Sequence, residues 1–125
     1  MKLFKTFLIA GLIFFTANVS AQKLPDNYEA IFTELIDNME LIRSGNSLKK
    51  GKHTLTVFSE ERIVLRTKYN RQVKNLTFVK ESNDENKMEW IADNQLTIDM
   101  VNKHEEDLTE IFMEMLELSR KEAQE

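Results

Sequence analysis

HTLTVFSEERIVLRTKY, residues 53–69, holds two β-prone runs on either side of the polar break Ser59-Glu60-Glu61. In the first run Leu55 and Val57 alternate with Thr54 and Thr56; in the second, Ile63 and Leu65 alternate with Val64 and Arg66. A period of two places alternate side chains on opposite faces of a pleated strand. A break this short joins antiparallel neighbours, because a parallel partner needs a crossover of a dozen residues or more. The stretch is therefore read as a β-hairpin.

The same pattern continues toward the C-terminus. Segment 72–80 carries Val73, Leu76, Phe78 and Val79, and segment 87–92 carries Met88, Trp90 and Ile91. Polar breaks at Asn70-Arg71 and at 82–86 separate these runs. The prediction is a four-stranded antiparallel meander over 53–58, 62–69, 72–80 and 87–92. Leu55, Val57, Ile63, Leu65, Leu76, Phe78, Met88 and Trp90 form its core side. The other side mixes Thr54, Thr56, Arg66, Lys68, Asn75 and Thr77 with Phe58, Val64, Val79 and Ile91, so it reads as neither cleanly wet nor cleanly dry. A face of that kind is ordinary surface, or it is covered by a ligand or by a second copy in a dimer.

On both sides of the meander the period becomes helical. Tyr28, Ile31, Phe32, Leu35, Ile36, Met39 and Ile42 fall on one stripe at about 100° per residue. Asp26 and Glu29 stand at capping-box spacing, and Ser44-Gly45-Asn46 supplies a stop, so a helix is predicted over 27–43. Residues 46–52 read as a basic loop. After the meander, Leu108, Ile111, Phe112, Met115, Leu116 and Leu118 share a stripe that extends backwards through His104, Val101 and Ile98. This predicts one long helix from near Asp93 or Asn94, preferred over a fifth strand at 95–101. Such a helix would outrun the sheet and have to overhang, bend or meet a partner. The fold class is α+β, in the order α-β-β-β-β-α, with both helices on one face of the sheet.

The N-terminus reads as an address. Lys2 and Lys5 precede an apolar run from Phe7 to Ala17, and Val19-Ser20-Ala21 presents modest side chains to a signal peptidase. The run is shorter than the roughly 18 apolar residues that a membrane span needs. The expectation is a cleaved secretory signal over residues 1–21 and one small domain over 22–125, secreted or periplasmic. The chain has no cysteine, so that domain must fold without disulfides.

Charge is divided along the chain. Residues 49–80 hold nine Lys or Arg against Glu60 and Glu61, whereas residues 81–125 hold fourteen acids against Lys87, Lys103, Arg120 and Lys121. A basic sheet joined to acidic helices leaves Lys49, Lys50, Lys52, Arg66, Lys68, Arg71 and Lys74 as a candidate surface for an anionic partner, either a protein or a ligand. The competing reading is internal complementarity with solvated faces. Nucleic acid is not expected, because Tyr69 is the one evident stacking residue in the basic stretch and export separates the chain from a genome.

Motifs for chemistry are missing from the sequence. There is no glycine-rich phosphate loop, nucleophile elbow or zinc helix, and no cofactor or metal is expected. His104 lies on the apolar stripe and reads as a satisfied boundary histidine; His53, at a strand entrance, reads as solvated. The function expected is a small exported, non-catalytic binding protein. A carrier of an amphiphilic ligand between helices and sheet is the alternative, and a hydrolase using scattered carboxylates ranks last.

Overall fold

The computed structural model describes residues 24–42 and 45–124. The leader, the proposed cut after Ala21, and Arg43 and Ser44 at the expected end of the first helix lie outside those residues. The elements run α1 (Asn27–Met39), β1 (Ser47–Lys50), β2 (His53–Ser59), β3 (Arg62–Tyr69), β4 (Gln72–Ser82), β5 (Met88–Ala92), α2 (Gln95–Lys103) and α3 (Glu105–Ala123). The class is α+β as expected, but the antiparallel sheet has five strands rather than four, in the order β1-β2-β3-β4-β5.

The extra strand comes from the stretch read as a basic loop. Leu48 pairs with Leu55 and is buried, while Lys49 and Lys50 pair with Thr54 and His53. Gly51 takes φ +60 in the two-residue turn that follows, and Lys52 beside it keeps negative φ. A positive φ at the first turn residue alone is the II′ pattern, which suits the twist of a hairpin. One apolar residue among lysines gives almost no alternation to read. Lysines on a short edge strand also discourage pairing with other chains. In the next turn but one, Asn70 and Arg71 both have positive φ, at 52° and 66°. That is the I′ geometry, in which Arg71 occupies a position that glycine takes at little cost.

Register sorts the side chains. Leu48, Leu55, Leu65 and Leu76 are cross-strand neighbours in one buried row, and Val57, Ile63, Phe78 and Ala92 form a second. Trp90 is buried beside them, so the predicted core side holds except at Met88, which is 47% exposed at the start of β5 opposite Ser82. The indole N–H of Trp90 finds no acceptor among the described residues. Phe58 falls at a register shift between Val57 and Ser59. It is left unpaired and largely exposed, as the extra residue of a bulge is.

All six α1 stripe residues from Tyr28 to Met39 are buried, but the helix ends four residues before its predicted limit. Leu41 and Ile42 donate backbone hydrogen bonds to Asn38 and Met39, three residues back, which tightens the chain out of the helix. This turns Leu41 outward and returns Ile42 to the core. The expected capping box is not made: Asp26 has helical dihedrals and no side-chain cap bond, and the Tyr28 N–H goes to the Pro25 carbonyl instead.

The long helix begins where expected, with the Asn94 side chain accepting from the Thr97 N–H at 2.9 Å. It does not continue as one rod. At His104 the backbone leaves the helical region (φ −134°, ψ 38°). The break lets α2 lie along β4 while α3 crosses to β1 and runs beside α1. A straight helix of that length cannot stay in contact with the sheet, and the bend keeps Leu108, Phe112, Met115 and Leu116 buried in one core with Ile98 and Val101. Its centre is a cluster of Tyr28, Phe32, Phe78 and Phe112, with ring centroids 5.1–6.4 Å apart in tilted or edge-to-face arrangements.

Candidate functional site

The helices pack on the leucine face, and no described element packs on the other. On that open face the alternation makes a gradient. At one end Arg62, Val79 and Ile91 are cross-strand neighbours, and Arg62 reaches Asp93 at 3.7 Å. That ion pair spans β4, and Val79 beneath it is buried although it is not part of the main core. Ser47, Thr56, Val64 and Thr77 make the middle row. Next come Lys49, Thr54, Arg66 and Asn75, followed by Lys68 opposite Val73. The face thus passes from apolar to hydroxyl-rich to basic.

The basic end is concave. Lys49, Lys52, Thr54, Arg66, Lys68 and Val73 line a hollow of about 230 Å³. The hairpin turn at Gly51 forms part of its wall. Four of the seven cations marked in the sequence therefore converge. Lys50 and Lys74 do not join them: the register places Lys50 opposite His53 and Lys74 opposite Thr67, on the helix-covered side. Arg71 sits in the turn between the two faces. None of the seven forms an ion pair among the described residues, where acids are instead engaged by Arg62, Lys87 and Arg120. The acidic helices do not neutralise these seven cations among the described residues: Lys49, Arg66 and Lys68 lie on the face away from the helices, and Lys50 and Lys74, on the helix side, make no ion pair either.

A second polar cluster lies where the sheet emerges from beneath α3. His53 Nδ1 is 2.7 Å from Thr67 Oγ1, its cross-strand neighbour. Tyr69, two residues along the same face, places its hydroxyl 2.9 Å from His104 Nδ1 and 3.3 Å from Asp107 Oδ2. Tyr69 thereby ties β3 to the junction of α2 and α3. The boundary assignment of His104 agrees with this, but His53 is half-buried and bonded rather than solvated. Sequence reading missed the role of Tyr69, whose signal was its position one full repeat beyond Leu65 and Thr67 on the covered face. Thr67 is itself buried, so the His53–Thr67 pair does not present a hydroxyl to a substrate. No described group of three or more His, Asp or Glu is placed to hold a metal ion.

Burial pushes the His53 imidazole below its ordinary value, Lys52 adds to the effect and Glu114 opposes it. A histidine that binds its proton less readily when folded contributes stability above the unfolded value of about 6.5 and loses it as pH falls through that value and the lower folded one. The expected result is a melting temperature that declines between about pH 7 and pH 5, with a shallower decline in His53→Gln. Parallel slopes for the two proteins would remove His53 as the cause. Glu34, held below the usual carboxylate range by Arg120, acts in a separate and more acidic window.

Phe32, Phe78, Phe112 and Trp90 fill the interval between helices and sheet. No helix among the described residues is long and apolar enough to cross a membrane. Comparison with family models, with curated proteins and with solved structures finds no match.

Proposed function

We propose that the chain is a small exported, non-catalytic binding protein that engages an anionic partner through the basic end of its open sheet face. The observation that carries this reading is the convergence of Lys49, Lys52, Arg66 and Lys68 on one hollow with no acidic partner among the described residues. The whole chain has a formal charge of −4, so a focused positive patch runs against its overall balance. Like charges held close together repel, and an arriving anion relieves that repulsion while gaining several attractions at once. Export follows from the leader, and a secreted protein with an intact mass starting at Gln22 is the corresponding expectation.

Fluorescence anisotropy with labelled poly-L-glutamate tests the surface. Binding should weaken steeply as salt is raised from about 0.05 M to about 0.5 M, over which the Debye length falls roughly threefold. Lys49→Glu combined with Arg66→Glu should weaken it at least about tenfold, or about 1.4 kcal/mol. Lys50→Glu combined with Lys74→Glu, the same charge change on the other side, should have a much smaller effect. Equal losses from the two pairs would mean that net charge, and not this face, drives association.

A further inference from the structure

Resting on that reading, we infer that the hollow between the β1–β2 turn and the β3–β4 hairpin is a subsite for a phosphomonoester borne on a small saccharide. Several features of its wall converge on that ligand. Arg66 offers a planar fork of N–H donors, while Lys49, Lys52 and Lys68 act as point charges around it. A carboxylate brings one charge and two oxygens, too few to serve four cations. A phosphomonoester brings up to two charges and three strong acceptor oxygens. The hollow is also wider than a bare phosphate needs: its wall is drawn from four adjacent strands, β1 to β4, which at about 4.8 Å between neighbours span roughly 14 Å. The remaining wall suits a polyol. Thr54 brings a hydroxyl, and Val73, half-exposed beside Lys68, presents an apolar surface to the C–H face of a sugar ring. Gly51 leaves its backbone open, since a Cβ there would meet nothing within 4 Å.

The phosphate group carries its own diagnostic. Its second ionisation lies near pH 6, so at about pH 5 only about one tenth of it remains dianionic. A sulfate ester keeps its single charge throughout. On the protein side, Lys49, Lys52, Arg66 and Lys68 face the hollow. His53, next to Lys52, gains charge on acidification and strengthens the attraction for any anion. The two esters must therefore diverge as the pH falls.

The experiment is a titration of the ¹⁵N-labelled protein with glucose 6-phosphate, glucose 6-sulfate, inorganic phosphate and glucose, followed by NMR. Glucose 6-phosphate should shift the amides of Gly51, Thr54, Arg66 and Val73 at neutral pH. It should bind several-fold more tightly than inorganic phosphate and lose up to about tenfold in affinity by about pH 5, while the sulfate ester holds or gains. Arg66→Gln and Lys68→Gln, both at exposed positions, should each weaken it several-fold without moving the melting temperature. Equal binding of phosphate and glucose 6-phosphate, parallel pH profiles for the two esters, shifts elsewhere on the surface, or no shifts would each overturn the inference. So would binding confined to phosphatidic acid vesicles. Poly-L-glutamate binding that persists through such a result would leave the anionic-surface reading standing, so the two failures are distinguishable.

Discussion

Phe32→Ala should cost about 3–5 kcal/mol of unfolding free energy. Phe32 is fully buried and sits at the meeting point of the whole core. Its ring centroid lies 5.7 Å from Tyr28, 5.3 Å from Phe78, 5.1 Å from Trp90 and 5.1 Å from Phe112. Those neighbours come from α1, β4, β5 and α3, so truncation opens a cavity that several elements would have to move together to close. The cost combines lost transfer free energy with the unfilled volume. Domains of this kind have only about 5–15 kcal/mol in total, so the variant should lose a large share of its stability. Urea denaturation is the measurement, with a lower midpoint and an unchanged slope expected. Leu41→Ala is the control: that side chain is 67% exposed, and its loss should fall within about 0.5 kcal/mol. A loss of less than about 1 kcal/mol in Phe32→Ala would show that the rings do not pack as described.

Thr97→Val should cost about 1–3 kcal/mol, although it scarcely alters shape. β5 pairs with β4 only as far as Ala92 opposite Phe78, and one further bond runs from the Asp93 N–H to the Thr77 carbonyl. Beyond that point β4 has lost its neighbour strand, and the Thr77 N–H donates to Thr97 Oγ1 at 2.9 Å. The same hydroxyl donates to Asn94 Oδ1, which also accepts the Thr97 N–H. One buried side chain thus finishes the sheet edge and starts α2. Valine keeps the volume and leaves a buried backbone donor without an acceptor, and the desolvation of that donor is then uncompensated. Amide exchange at Thr77 should accelerate more than at Leu65 in the sheet centre. Thr33→Val supplies the comparison, since its hydroxyl is exposed and donates to the Glu29 carbonyl one turn back, where water replaces it, and it should be nearly neutral. If the two variants were equally stable, Thr97 would not be the terminator of the edge.

How legible the site was depended on how residues were spaced. Arg66 and Lys68 stand two apart in a strand with clear alternation, so their shared face could be read directly. Lys49 and Lys52 lie outside any readable period. They join Arg66 only because β1 folds back on β2 through Gly51 and brings Lys49 alongside Thr54, in the same row as Arg66. The same fold-back sends Lys50 to the opposite side, which its position next to Lys49 already implied once β1 was known to be a strand. Tyr69 and His104 are 35 residues apart, and nothing local connects them.

By itself, the sequence determined the α+β class, the hairpin at 53–69, the buried faces of β2, β3 and α1, and a helix start near Asp93 or Asn94. Each rests on a repeat that a few consecutive residues express, because the 2- and 3.6-residue periods select a face before any long-range contact forms. Tertiary structure alone decided the fifth strand, the break at His104, the early end of α1 and the gathering of four cations at one end of the open face. Those depend on where distant segments meet. Leu48 is a strand residue because Leu55 lies beside it, and the last helix bends because the sheet it must cover is shorter than its apolar stripe.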